Sequence, residues 1–213
     1  MGQQINQYTI DRTTFGDDDY YDVDYWDGAT YQTAKIKGSV IRSAGSSSGL
    51  YAQTVVSATI NTVGEQSVVG TGVGGLSIPA DNFVVGDSYH GKIGGLINAT
   101  GGGGRSEITI NIKAGATILA TTGVFDLDTA TNQGWECELD FTIASIGAVG
   151  SICTNGNFAY TKDGNRSVYG YIFQDVQPID TTISNTLDVT VEWNVLNGGD
   201  DIYSANFVLY KTY

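Results

Sequence analysis

The sequence predicts an all-β protein, a sandwich or barrel of antiparallel strands, on three observations. Three segments alternate apolar and polar residues: Ile108, Ile110 and Ile112 between Glu107 and Lys113; Cys137, Leu139, Phe141 and Ile143 after Glu136; and Leu187, Val189, Val191 and Trp193 around Asp188 and Glu192. A period of two is the signature of a half-buried strand. Turn-forming residues separate such segments at Gly86-Asp87, 101–104, Ala114-Gly115, Asp163-Gly164 and Asn197-Gly198-Gly199-Asp200, where Gly and Asn supply positive φ. No stretch sustains the 3.6-residue period of a helix, and strands recurring every ~8–12 residues belong to a sandwich or barrel.

Along the chain, residues 1–45 differ from the rest. Their core runs from Thr13 through Phe15, Asp17, Asp18, Asp19, Tyr20, Tyr21, Tyr25 and Trp26 to Asp27, interleaving aromatic rings with aspartates in neither period. So short a segment has no means of enclosing its own rings, so it is expected to lie extended along another surface. Residues 31–41 form a possible short strand, and 43–49 have the Gly/Ser composition of a linker. Weaker strands are expected at 51–60, 82–85, 89–96, 116–121, 151–153, 158–161, 167–173 and 204–210. Glu136, Glu138, Asp140, Asp188 and Glu192 then point outward from strands whose other face is core.

Composition narrows the function. The chain has 213 residues, 10 Lys+Arg against 23 Asp+Glu, and a net charge of −13. That charge opposes binding to nucleic acid or to an anionic membrane surface. One His rules out a His cluster, and two Cys by themselves do not make a four-ligand zinc site. Residues 1–6 have neither a basic nor an apolar leader region, so no secretory signal is expected. Without one, the sequons at Asn98 and Asn165 read as chance, and Cys137 and Cys153 as two buried free thiols.

Several constellations have a chemical and a structural reading. The Asp17–Asp27 carboxylates suit Ca²⁺ in type but fit no EF-hand register, which favours a solvated or Lys/Arg-paired segment and no metal. Residues 70–75, Gly-Thr-Gly-Val-Gly-Gly, lack the Lys-Ser/Thr of a phosphate loop and read as a hinge or tight turn. His90 lies in an expected strand without a nucleophile elbow, which makes it structural. Asp126 and Asp128 form a carboxylate pair, but exposed acids on a sheet need no glycosidase to explain them. No catalytic signature and no cofactor motif emerges.

Five stretches carry a resemblance: Leu76-Ser77-Ile78-Pro79-Ala80-Asp81-Asn82 with Val85-Gly86-Asp87-Ser88-Tyr89; 108–124; Trp135 to Gly147; Thr186 to Trp193; and Asn206-Phe207-Val208-Leu209-Tyr210-Lys211-Thr212-Tyr213. Together they resemble the C-terminal jelly-roll modules of bacteriophage virion appendage proteins, such as head fibres, spikes and tail-fibre-like proteins. Residues 8–27 are loosely similar to the particle-attachment segments that precede such modules. The resemblance implies an antiparallel jelly-roll β-sandwich of the tumour-necrosis-factor type at 76–213, an attachment segment at 1–45, and a Gly/Ser-rich linker with a first strand at 46–75. It also implies a non-enzymatic virion protein that docks on capsid or vertex proteins through Phe15, Asp17, Asp18, Asp19, Tyr20, Tyr21, Tyr25 and Trp26. The jelly roll would project as a homotrimer. Tyr169, Tyr171 and Phe173, with Phe207, Leu209 and Tyr213, are candidates for the subunit interface or, alternatively, for the core of one domain. A second expectation is a host-glycan receptor-binding module using loops 101–105 and 126–133, with exposed Tyr and Trp stacking on sugars.

Overall fold

A strand with one apolar face must bury it against a second layer, and this chain does so with two antiparallel sheets. The computed structural model describes residues 20–26, 30–37, 49–101, 105–163 and 168–213. They fall into two units, Met1–Ser47 and Ser48–Tyr213.

In the first unit β1 (Tyr20–Trp26) pairs antiparallel with β2 (Tyr31–Lys37), in register from Tyr20↔Lys37 to Trp26↔Tyr31. Residues 20–26 are extended, as half of a hairpin. Its register sets Asp22 opposite Lys35.

The second unit is a β-sandwich. Its strands are β3 (Gly49–Gln53), β4 (Gly64–Ser67), β5 (Gly72–Gly74), β6 (Ser77–Ile78), β7 (Ser88–Ala99), β8 (Ser106–Ala114), β9 (Thr117–Thr121), β10 (Phe125–Leu127), β11 (Ala130–Ser145), β12 (Gly150–Thr161), β13 (Val168–Ile179), β14 (Asn185–Val195) and β15 (Asp201–Lys211). One sheet has seven strands in the order β13-β12-β11-β7-β15-β3-β5. The other runs β10-β8-β14-β6, with β9 also on β8. The β4 segment lies beside β14: Val63 bridges Trp193 in parallel, and the Val68 amide donates to the Val189 carbonyl.

The alternating residues meet between the sheets. Ile108, Ile110, Ile112, Val189, Val191 and Trp193 from one side and Ile93, Cys137, Leu139, Phe141, Ile143 and Phe158 from the other are all buried in one core. Phe125 of β10 packs on Phe158 of β12 across the layers, with ring centroids 5.5 Å apart. The indole of Trp193 donates to the Ile60 carbonyl at 3.1 Å, so the deepest polar group of the core is satisfied.

Two expectations change here. The stretch 46–75, expected as a Gly/Ser-rich linker with a first strand, holds β3, β4 and β5, of which β3 and β5 are strands of the seven-stranded sheet. The glycine run is edge structure and not a hinge, because a Cβ on Gly72 or Gly74 would strike the carbonyl oxygens of Ala52 and Leu50. Residues 82–85 are turn and loop, with Asp87 closing the turn by accepting from the Val84 amide at 3.1 Å. The expected turns at Gly86, Gly115 and Gly199 do carry positive φ, at 94°, 58° and 98°.

Candidate binding face

In antiparallel strands, residues in register share a face, so register alone assembles the outer surface of the seven-stranded sheet. One transverse row is Tyr210, His90, Asp140, Asn155 and Gln174, each on a different strand from β15 to β13. Beside it lies the row Ser88, Thr142, Cys153 and Val176, and on the other side Val208, Lys92, Glu138, Asn157 and Ile172. Between the Asp140 and Thr142 rows an open trough of about 580 Å³ crosses β11, β12 and β13. Its floor is backbone at Phe141 and Thr154, whose side chains are buried on the core side.

The charges on this face are tied to one another. The Lys92 ammonium sits 2.8 Å from Glu136 Oε2 and 2.9 Å from Glu138 Oε1. These carboxylates push Lys92 above its ordinary value, and Lys92 in turn holds Glu138 below the usual carboxylate range. His90 Nδ1 is 2.7 Å from Asp140 Oδ1, and its ring leans on Tyr210 at 5.2 Å. Ser88 and Thr142 hydroxyls pair at 2.9 Å. At the rim Lys211 reaches the buried Asp87 at 2.6 Å. Burial, and then Asp87, push the neighbouring Tyr89 phenol up.

The outer face of the other sheet is closed. Glu65 of β4 lies over it and takes the Lys113 ammonium at 2.8 Å, the Thr190 hydroxyl at 2.6 Å and the Asn111 amide at 2.9 Å. These donors, Lys113 first, lower the Glu65 carboxyl to about 2. Nearby Asp188 is pushed up by burial despite its bond from Ser67 at 2.6 Å. Sequence reasoning missed this cluster, because Glu65 stands in an apparently irregular stretch 48 residues from Lys113.

The expected site residues are distributed as follows. Phe15, Asp17, Asp18 and Asp19 lie outside the described residues, as do the side chains of Tyr20, Tyr21, Tyr25 and Trp26, whose backbone forms β1. Phe173, Phe207 and Leu209 are 8%, 1% and 1% exposed. Of the two places expected for them they occupy the core of a single chain: side chains already enclosed by their own sandwich have no surface left for a neighbour. Tyr213 is 82% exposed. Tyr169 and Tyr171 occupy β13 in register with Tyr160 and Phe158, and their side chains lie outside the described residues. Cys137 is buried and Cys153 exposed, one residue parity apart in facing strands, so the second thiol departs from expectation.

The loops expected to meet glycan are internally engaged. Arg105 pairs with Asp126 at 3.0 Å and Lys162 with Asp128 at 3.1 Å. Asp163 accepts from the Thr131 hydroxyl at 2.6 Å and from Gln133 at 2.8 Å. Residues 102–104 lie outside the described residues. Among the described residues no three His, Cys, Asp or Glu side chains converge on a metal position. No family model, no curated protein and no solved structure matches the chain.

Proposed function

We propose that the chain is a non-enzymatic structural component of a bacteriophage particle, a fibre, spike or vertex protein. In this reading residues 1–45 dock on capsid or vertex proteins, and the sandwich projects as a homotrimer with a jelly-roll topology. The observation that carries it is the strand order. The neighbours β11-β7, β7-β15 and β15-β3 of one sheet and β8-β14 of the other are distant in sequence, and the chain crosses between sheets from β7 to β8, from β10 to β11, from β13 to β14 and from β14 to β15. Such crossing supports a jelly roll built on β3-β15-β7-β11 facing β8-β14, with the β12–β13 hairpin added at one edge.

The apolar surface open to such an interface lies one residue along from the positions the sequence suggested. On β15 the exposed apolar positions are Val208 and Tyr210, the alternates of Phe207 and Leu209, and Val73 of β5 joins them on the same half of the sheet. A threefold axis there would cover these side chains and shield the β5 edge. Three weakly held N-terminal segments would then act together in docking.

Sedimentation equilibrium tests the assembly. The expected mass is three times the chain's 22.6 kDa. The pair Val208→Glu and Tyr210→Glu should give a folded monomer. A monomeric wild-type protein overturns the trimer. Removing residues 1–30 should abolish incorporation into particles, and normal incorporation of that variant overturns the docking role.

A further inference from the structure

We propose that the trough across β11, β12 and β13 binds a neutral oligosaccharide. The site goes beyond the structural role and does not depend on it. Three properties of the trough point to this class of ligand. Its wall is a line of planar polar groups, the Asp140 carboxylate and the Asn155 and Gln174 amides, on neighbouring strands in register. All three are exposed, and among the described residues neither amide has a hydrogen-bond partner. His90 takes only Oδ1 of Asp140 and fixes the carboxylate in place, which leaves Oδ2 to accept. Amide and carboxylate groups at a strand spacing of ~4.8 Å present a row of donors and acceptors above the sheet, which can meet successive hydroxyls of a pyranose.

From Asp140 to Gln174 the row spans two strand spacings, ~10 Å. That is long enough for a disaccharide unit of an oligosaccharide. The trough volume of about 580 Å³ lies within the range of small-molecule sites.

Charge selects the kind of saccharide. Lys92 is already shared by Glu136 and Glu138, and the imidazole of His90 is committed to Asp140. With Asp175 at the edge the face has more acid than base, and no free cation is available to a sialic acid or sulfate group among the described residues. An anionic sugar would meet repulsion at Asp140, whereas a neutral one needs only the hydrogen bonds.

The test is a printed array of neutral, sialylated and sulfated oligosaccharides probed with the full chain. Retention is expected on neutral glycans. It should weaken at least ten-fold in the pair Asn155→Ala and Gln174→Ala and remain unchanged in Arg105→Ala, which lies outside the trough. Both altered side chains are exposed, so the thermal melt should match wild type. The isosteric pair Asn155→Asp and Gln174→Glu provides a second reading in which shape is kept and donors are lost. Failure to retain any neutral glycan, a preference for anionic ones, or retention that survives both pairs overturns the proposal. The sedimentation mass is independent of all these outcomes, so failure here is distinguishable from failure of the trimer.

Discussion

At the scale of single residues, parity decides role. Phe207 and Val208 are adjacent, yet one is in the core and the other on the outer face. Phe207→Ala should cost ~3–5 kcal/mol in urea unfolding, and Val208→Ala under ~1 kcal/mol. Equal costs would contradict the assigned register. The sequence made the β15 strand legible but not which of its faces turns inward, because Phe207, Val208, Leu209 and Tyr210 are all apolar or aromatic. Glu65 supplies a pH test. Its carboxyl falls from 4.5 to about 2 on folding, mainly through Lys113. The ionised form is therefore favoured in the folded state, and the stabilisation is complete above pH ~4.5 and lost as the pH falls toward ~2. Because the side chain is partly exposed, solvent screening reduces its worth to about 1 kcal/mol. Glu65→Gln should lower stability by that amount at pH 7, with the difference shrinking to nothing near pH 2. A gap that is constant with pH would show that packing, and not charge, is what the substitution removes.

At the scale of elements, the glycines explain most of what the sequence concealed. β8, β11 and β14 were legible because their inward residues alternate without interruption. β12 reads as two short strands, broken at Asn155-Gly156-Asn157, but is continuous from Gly150 to Thr161. Gly156 lies opposite Phe173, whose ring rests on the space a side chain would fill. The glycine that looks like a break is thus a seat for an aromatic ring on the next strand. β7 works similarly at Gly91, where a Cβ would lie 3.0 Å from Leu139 and 3.2 Å from Phe207. Gly95 is stricter. Its Cβ would run into the Tyr203 carbonyl oxygen, beside the register shift between Ser204 and Asn206. Gly95→Ala should cost ~1–3 kcal/mol and speed amide exchange in the β7–β15 pairing. Unchanged exchange there would mean that the two strands separate without cost. The Glu65 cluster was invisible for a different reason: a β4 strand of four residues has no periodicity to read.

For the whole molecule, charge and the division into units have separate origins. Residues 1–47 carry the aromatic and aspartate-rich hairpin, and the sandwich holds its own core from Tyr51 to Leu209. Residues 48–213 alone should therefore melt cooperatively within a few degrees of the full chain, as calorimetry can establish. A large drop would mean that the first unit contributes to the stability of the second. Part of the acidic balance of −13 lies on the outer face of the seven-stranded sheet, where carboxylates such as Glu136 and Glu138 share a lysine. Cys153 has a practical consequence. It is one of two thiols in the chain, and the other, Cys137, is sealed in the core with its ionisation pushed up to about 12 by burial. An environment-sensitive maleimide dye added to the native protein would attach at a single position, in the wall of the trough beside Thr142 and Val176. The unaltered sequence thus carries its own optical reporter of anything that settles there.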